Sequence, residues 1–272
     1  MRLNQNTNFL IITQNFTKNQ AAEAIATSNA LLALSQRLNR PILHFWTLSD
    51  TIILGHMDAK LKSLPQGLKF LADHHYQTII RNAGGLGVVS DDGVINLGFY
   101  FPKQGDLTIN AAYTEIADFM KEIFQPLNLK VETGEIVNSY CPGTFDLSVN
   151  GQKIAGLAQR RAKNNVSVML YLSLTGDQLA RGQLMHDFYQ IANQPVHPKL
   201  KFPDVDPQSM TTISKLLEHD FTLTEFIKLI KTQLTAWQIS FQEVNLSEIA
   251  DQQFQTDLTA NLTTITARME EL

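Results

Sequence analysis

Apolar positions recur at helical spacing between Asn19 and Leu38, where Ala24, Leu31, Leu34 and Leu38 share one side; Asn39-Arg40-Pro41 ends the run, because proline cannot continue the hydrogen-bond ladder. The pattern then changes. Ile42 to Leu48 and Thr51 to Leu54 are rich in β-branched and aromatic residues and separated by Ser49-Asp50, which predicts a strand pair closed by Gly55-His56. A helix is expected around Gln66 to His75, a strand over Gln77 to Asn82, a turn through Ala83-Gly84-Gly85-Leu86-Gly87, and extended chain over Val94 to Phe101. Ala111 to Phe124 reads as helix and Leu129 to Thr133 as strand.

The sharpest local signal is Asn150-Gly151 between two extended segments, which specifies a tight hairpin with a primed turn. Lys153 begins the returning strand. That strand runs to Arg161, turns at Lys163-Asn164-Asn165 and pairs with the alternating stretch Val166 to Thr175. Gly176 to Ile191 is predicted helical, and Pro195, Pro198, Pro203 and Pro207 mark a long irregular connection. Thr222-Leu223-Thr224-Glu225 fits a capping box, with Phe226, Leu229, Ile230, Leu234 and Trp237 behind it as core. Ser247 to Met269 is read as helix. Interleaved strands and helices, with hairpins in the middle of the chain, favour an α+β fold over a purely parallel sheet.

At 272 residues and 44% hydrophobic content the chain can bury a sizeable core. Twenty-two basic residues against 26 acids, a formal charge of −4, argue against a nucleic-acid partner held by phosphate neutralisation. The early apolar run Phe9 to Ile12 is too short for a signal segment or a membrane span, so a cytoplasmic protein with a reduced cysteine and no membrane partner is expected.

Cys141 is the sole cysteine, so it has no intrachain partner, and it sits in Asn138-Ser139-Tyr140-Cys141-Pro142-Gly143-Thr144-Phe145-Asp146. A lone cysteine is often a small buried hydrophobe. The Pro-Gly loop and a lysine one hairpin away at Lys153 point instead to thiolate chemistry, since a nearby ammonium favours the charged form. Arg81-Asn82-Ala83-Gly84-Gly85-Leu86-Gly87 follows a strand; its glycines suit close approach to a ligand and equally a plain turn. It lacks the Gly-Lys-Ser/Thr of a phosphate loop. Gly156, beyond the lysine, leaves room for an alkyl chain or for close sheet packing. His74-His75 and the other histidines show no metal-ligand spacing, and Asp91-Asp92-Gly93 lacks the rest of a calcium loop, so no metal is expected.

Cys141-Pro142-Gly143-Thr144-Phe145-Asp146-Leu147-Ser148 followed by Gly151-Gln152-Lys153-Ile154-Ala155-Gly156, together with the Arg81 to Gly87 turn, resembles the superfamily of lipoate-protein ligases, octanoyltransferases and biotin ligases. Most similar is the branch that moves octanoyl groups from the glycine-cleavage H protein to E2 lipoyl domains. The resemblance implies a mixed central β-sheet flanked by helices, one catalytic domain over 1–272 with a core of about 41–192, and a helical extension over about 208–272. It implies Cys141 as an acyl-thioester nucleophile and Lys153 as the group that favours the thiolate and positions the acyl carbonyl. Arg81, Asn82, Gly84, Gly85, Leu86, Asp146 and Gly156 are the implied substrate-binding residues. Neither ATP nor another cofactor is implied, because a thioester retains acyl-transfer potential. The ligases' Arg-Arg-x-Gly-Gly-Gly is altered here: Asn82 stands second and Leu86 sixth. Alternative expectations are an ATP-dependent lipoate-protein ligase, an octanoyltransferase drawing on acyl carrier protein, and a non-enzymatic lipoyl-domain binding module.

Overall fold

A computed structural model describes residues 7–81, 84–104 and 106–270. The strands are β1 (Asn8–Phe16), β2 (Ile42–Leu48), β3 (Thr51–Leu54), β4 (Gln77–Ile80), β5 (Val88–Ser90), β6 (Val94–Phe101), β7 (Glu132–Thr133), β8 (Leu147–Val149), β9 (Gln152–Ala162), β10 (Asn165–Ser173) and β11 (Ser240–Glu243). The helices are α1 (Ala21–Leu38), α2 (Leu64–Asp73), α3 (Ile109–Phe124), α4 (Gln178–Ala192), α5 (Ile213–Leu217), α6 (Leu223–Ala236), α7 (Leu246–Ile249) and α8 (Gln252–Glu270).

A mixed sheet of order β11-β1-β2-β6-β10-β9-β8-β7 forms the centre, and a smaller sheet of order β4-β3-β5 stands beside it. Helices flank both, which is the α+β arrangement the pattern predicts. One expected pairing does not form. The two residues between β2 and β3 suggest a hairpin, but β2 pairs with β1 and β6, while β3 pairs in parallel with β4 and antiparallel with β5. Both β2 and β3 are buried on two faces, and such strands take their partners from tertiary packing rather than from the nearest turn.

The short apolar run at the start becomes β1. Phe9 and Ile11 pack toward α3 and α6, whereas Leu10 and Ile12 face α1, so both sides of the strand are covered. The other face of the central sheet is paved from Leu43, Phe45, Leu97 and Phe99 and closed by Phe119, Phe124 and Phe226. Helix α1 ends as its sequence requires: Asn39 takes a left-handed φ of 50° and caps the last turn, and Pro41 follows. The Thr222 capping box forms, with Glu225 accepting from the Thr222 amide at 2.8 Å. Helix α8 packs on α1, where Arg37 pairs with Asp251 at 2.8 Å and Asp257 at 2.9 Å. No helix among the described residues is long and apolar enough to cross a membrane.

Strand register places the site. On the α1 side of the sheet, Gly156, Tyr171, Asn96 and Trp46 form one row, Ala158, Met169, Gly98 and His44 the next, and Arg160, Ser167, Tyr100 and Ile42 a third.

Candidate active site

The Asn150-Gly151 turn forms with φ of 52° and 76°, the two left-handed residues of a primed hairpin, and it launches β9. A bulge follows at once. Ser148 pairs with Lys153 and Leu147 with Ala155, so Ile154 is the extra residue. Without it, Lys153 and Gly156 would point to opposite faces. With it, both face α1, and a Cβ built at Gly156 would lie 3.3 Å from Lys153 Cε.

The loop between β7 and β8 wraps around that lysine. Lys153 Nζ donates to Cys141 O at 2.7 Å, Tyr140 O at 3.0 Å and Ser139 Oγ at 3.2 Å, and it pairs with Asp146 Oδ1 at 3.0 Å. Both side chains of the ion pair are buried, at 4% and 2% exposure, so each needs the other. Burial pushes the Asp146 carboxyl up, and the Lys153 charge with the Gly143 and Ile136 amides pulls it only part of the way back. The resulting bracket holds Cys141 at φ 47°, a left-handed conformation that is uncommon for a residue with a side chain and that recurs at functional sites.

The group on the sulphur differs from the expected one. Lys153 reaches the Cys141 carbonyl, whereas Cys141 Sγ accepts from the Leu86 amide at 3.2 Å and from Arg81 Nη2 at 3.5 Å. Arg81 also donates to Gly84 O and Leu86 O, each at 3.0 Å, so one guanidinium holds the glycine turn and the thiol together. Gly85 has φ 95°, and a Cβ there would sit 2.7 Å from Arg81 Nη2 and 2.9 Å from Cys141 Sγ. Only glycine fits. Gly84 stands apart, exposed, with nothing within 4 Å of its built Cβ. Asn82 lies outside the described residues.

Support for the turn comes from residues whose role the sequence does not announce. A Cβ at Gly55 would fall 1.9 Å from Gly85 O, so the two loops touch through backbone. Buried Asp58 accepts from the Gly55 amide at 2.8 Å and from the Tyr189 hydroxyl at 3.0 Å, and that hydroxyl accepts from the Gly87 amide at 3.0 Å. Burial raises Asp58 to about 6 against the opposing pull of these donors and of Arg81. Behind Cys141, the buried Tyr140 hydroxyl meets Tyr171 Oη at 2.5 Å and accepts from Gln178 Nε2 at 3.0 Å. Gln178 and Ser173 lie within a network closed by Arg181 on Asp91.

A cavity opens beside Cys141 and runs between α1 and the sheet. Ile25, Trp46, Ile53, Val88, Leu157 and Met169 make its apolar wall; Cys141, Lys153 and Gly156 also border it, with Arg160, Ser28 and Asn29. Among the described residues, no group of three or more His, Cys, Asp and Glu side chains is placed to hold a metal ion. What the arrangement can do is hold a hydrocarbon chain with one end at a hydrogen-bonded thiol.

Comparison with known proteins names the architecture. A family model described as the lipoyl protein ligase A/B catalytic domain matches residues 20–235. The chain belongs to that family. It is 36% identical over 208 residues to an octanoyl-[GcvH]:protein N-octanoyltransferase of Exiguobacterium sp., covering 76% of this chain and 74% of that protein. It is 38% identical over 214 residues to a lipoyl-[GcvH]:protein N-lipoyltransferase of Listeria monocytogenes, covering 77% of each. A crystal structure of lipoate-protein ligase A bound with ATP superposes with a TM-score of 0.72 at 16% identity, covering 97% of this chain and 95% of that one. At that identity the last likeness concerns the fold, and it agrees with the sheet and helices described above.

Proposed function

We propose that this family member is an acyltransferase that moves an octanoyl or lipoyl group between lysines of two carrier proteins through a thioester on Cys141. The observation that carries the reading is the position of Cys141 Sγ, between the Leu86 amide and the Arg81 guanidinium at the opening of an apolar cavity. Relatives that share about a third of their residues are named octanoyl-[GcvH]:protein N-octanoyltransferase and lipoyl-[GcvH]:protein N-lipoyltransferase, which supports the acyl transfer but does not speak to the thioester. In this reading the donor is acylated H protein and the acceptors are E2 lipoyl domains.

In the first half-reaction the thiolate attacks the acyl carbonyl of the donor's N-acyl-lysine. A carbon–sulphur bond forms, the carbon–nitrogen bond breaks, and the lysine leaves as an amine after taking up one proton. In the second, the amine of an acceptor lysine attacks the thioester, loses one proton and expels the thiolate. An amide is exchanged for an amide, so the chemistry needs no activated nucleotide. Arg81 and the Leu86 amide stabilise the sulphur when it carries charge, at the start of the first step and the end of the second. Lys153 holds the backbone on both sides of the nucleophile and brings its charge to the edge of the cavity where the acyl carbonyl arrives.

The test is intact-protein mass spectrometry after mixing with octanoylated H protein. One octanoyl adduct that is released by hydroxylamine is expected on the wild type and none on Cys141→Ser. Transfer by Cys141→Ser at the wild-type rate, or AMP release from ATP and free lipoate without an adduct, would replace this mechanism with direct or adenylate-driven ligation.

A further inference from the structure

Farther along β9 from Cys141, the cavity carries a second polar group of Ser28, Asn29 and Arg160. Gly156, Ala158 and Arg160 alternate along one face of β9 and all line it, so its length follows the strand. At 3.3 Å per residue, Arg160 lies roughly 13 Å from Gly156, comparable with an extended eight-carbon acyl chain and its thioester. At this far end Arg160 donates to Asn29 Oδ1 at 2.9 Å and to Asn29 O at 3.4 Å. A guanidinium can only donate, so this bond fixes the Asn29 amide with its Nδ2 directed elsewhere.

Among the described residues, Asn29 Nδ2 has no hydrogen-bond partner, while the Ser28 hydroxyl meets the buried hydroxyl of Tyr100. Yet Asn29 is 9% exposed and Ser28 7%, and both line the cavity. An unpaired buried donor is costly, because it has given up its hydrogen bond to water without a replacement. The same helix turns Ala24, Ala30, Leu31 and Leu34 inward elsewhere, so a cavity meant only for methylenes had apolar alternatives at these two positions.

We propose that Asn29, with the Ser28 hydroxyl beside it, reads the distal end of the acyl chain, and that the cavity prefers an eight-carbon acyl group with a hydrogen-bond acceptor near its sixth to eighth carbons. A lipoyl group, whose dithiolane sulphurs sit there, is such a chain. This rests on the acyl-cavity reading above and adds which chain the cavity selects. A plain octanoyl end leaves Asn29 Nδ2 unpaired. Sulphur accepts weakly and a hydroxyl accepts well, and a hydroxyl can bond both Asn29 Nδ2 and Ser28 Oγ.

Calorimetric titration with the N-butyl amides of octanoic, lipoic and 8-hydroxyoctanoic acids tests this without requiring transfer. One hydrogen bond of about 1 kcal/mol predicts that the hydroxyoctanoyl amide binds the wild type about fivefold tighter than the octanoyl amide, with the lipoyl amide, a weaker acceptor, between the two. The hydroxyl arm controls for the extra apolar area of the dithiolane. Asn29→Asp keeps an oxygen for Arg160 and replaces the free donor with an acceptor. It should lose the preference for the lipoyl amide and keep that for the hydroxyoctanoyl amide, which can donate. Equal wild-type affinity for all three, an unchanged lipoyl-to-octanoyl ratio in Asn29→Asp, or no binding of any amide overturns the proposal. If the preference holds while Cys141 is never acylated by octanoylated H protein, the thioester mechanism fails and the chain-end reading stands. The reverse result leaves the mechanism and removes the chain-end reading.

Discussion

Replacing Asp146 by alanine removes the countercharge of an ammonium that is 4% exposed and 3.0 Å from the carboxylate. The remaining partners of Lys153 are neutral: two carbonyl oxygens and one hydroxyl. Breaking one side of a buried pair typically costs about 3–5 kcal/mol, because the surviving charge must be carried without compensation or neutralised. For a chain of this length each kcal/mol is worth roughly 2–4 °C, so a fall of about 10 °C in Tm is expected. The discriminating measurement is a double-mutant cycle by urea denaturation. Lys153→Met with Asp146→Leu removes both charges and fills similar volume, so it should recover most of the stability that Asp146→Ala loses. Acyl transfer should nonetheless be lost in the pair, because the carbonyls of Tyr140 and Cys141 no longer have their common donor. A cost under about 1 kcal/mol for Asp146→Ala, the value of an exposed pair, would refute the reasoning. So would a double variant no more stable than the single one.

The two neighbouring glycines separate packing from chain flexibility. Gly85→Ala should slow octanoyl transfer at least tenfold, since its Cβ would fall 2.9 Å from Cys141 Sγ, whereas Gly84→Ala, with open space around it, should leave single-turnover labelling near the wild-type rate; equal losses in both would make the turn a matter of backbone freedom alone. Asp58 gives a pH signature. Its folded value of about 6 lies above the usual value of about 3.9, so the fold favours its protonated form; that contribution is complete below about pH 3.9 and is lost as pH rises through about 6. Asp58→Asn does not titrate, so its stability relative to the wild type should rise by roughly 2–3 kcal/mol between about pH 4 and about pH 8, measured by denaturation at each pH. Parallel pH curves for the two proteins would mean that the buried carboxyl does not titrate there.

Local chemistry made some of this structure legible. Asn150-Gly151 dictates a primed turn because both residues tolerate positive φ, and Thr222 with Glu225 dictates a helix start because the two side chains satisfy orphan amides. Pairing of β2 and β3 was not legible, since Ser49-Asp50 reads as a hairpin loop while the partners of both strands come from distant segments. The candidate site divides in the same way. Cys141, Lys153 and Gly156 could be read from the run of residues that carries them. That Lys153 and Gly156 share a face depends on one extra residue at Ile154, and no periodicity in the sequence marks it. Gly84 was grouped with Gly85, and the structure separates them by space and by φ. Asp58 and Tyr189 lie 131 positions apart and meet only because α4 packs beside the small sheet.

The chemistry of Lys153 follows from which atoms of Cys141 it touches. An ammonium has three hydrogens, and four acceptors surround this one: a carboxylate oxygen, a hydroxyl and two successive carbonyls. Those carbonyls belong to Tyr140 and Cys141, so the lysine grips the peptide units on either side of the Cys141 Cα. That grip opposes relaxation of the φ of 47°, a conformation a cysteine would leave in a free loop. Arg81 meanwhile addresses the sulphur and the carbonyls of Gly84 and Leu86. Two cations thus divide the contacts that sequence proximity assigns to one: the lysine fixes the backbone of Cys141, and the arginine reaches its sulphur. A guanidinium nitrogen would be a poorer substitute for the lysine, because it carries at most two hydrogens in one plane where the ammonium directs three toward its four acceptors. Arg81 makes its three contacts through Nη2 alone, at 3.0, 3.0 and 3.5 Å, so the sulphur takes the longest share of a nitrogen whose two hydrogens also serve the turn carbonyls.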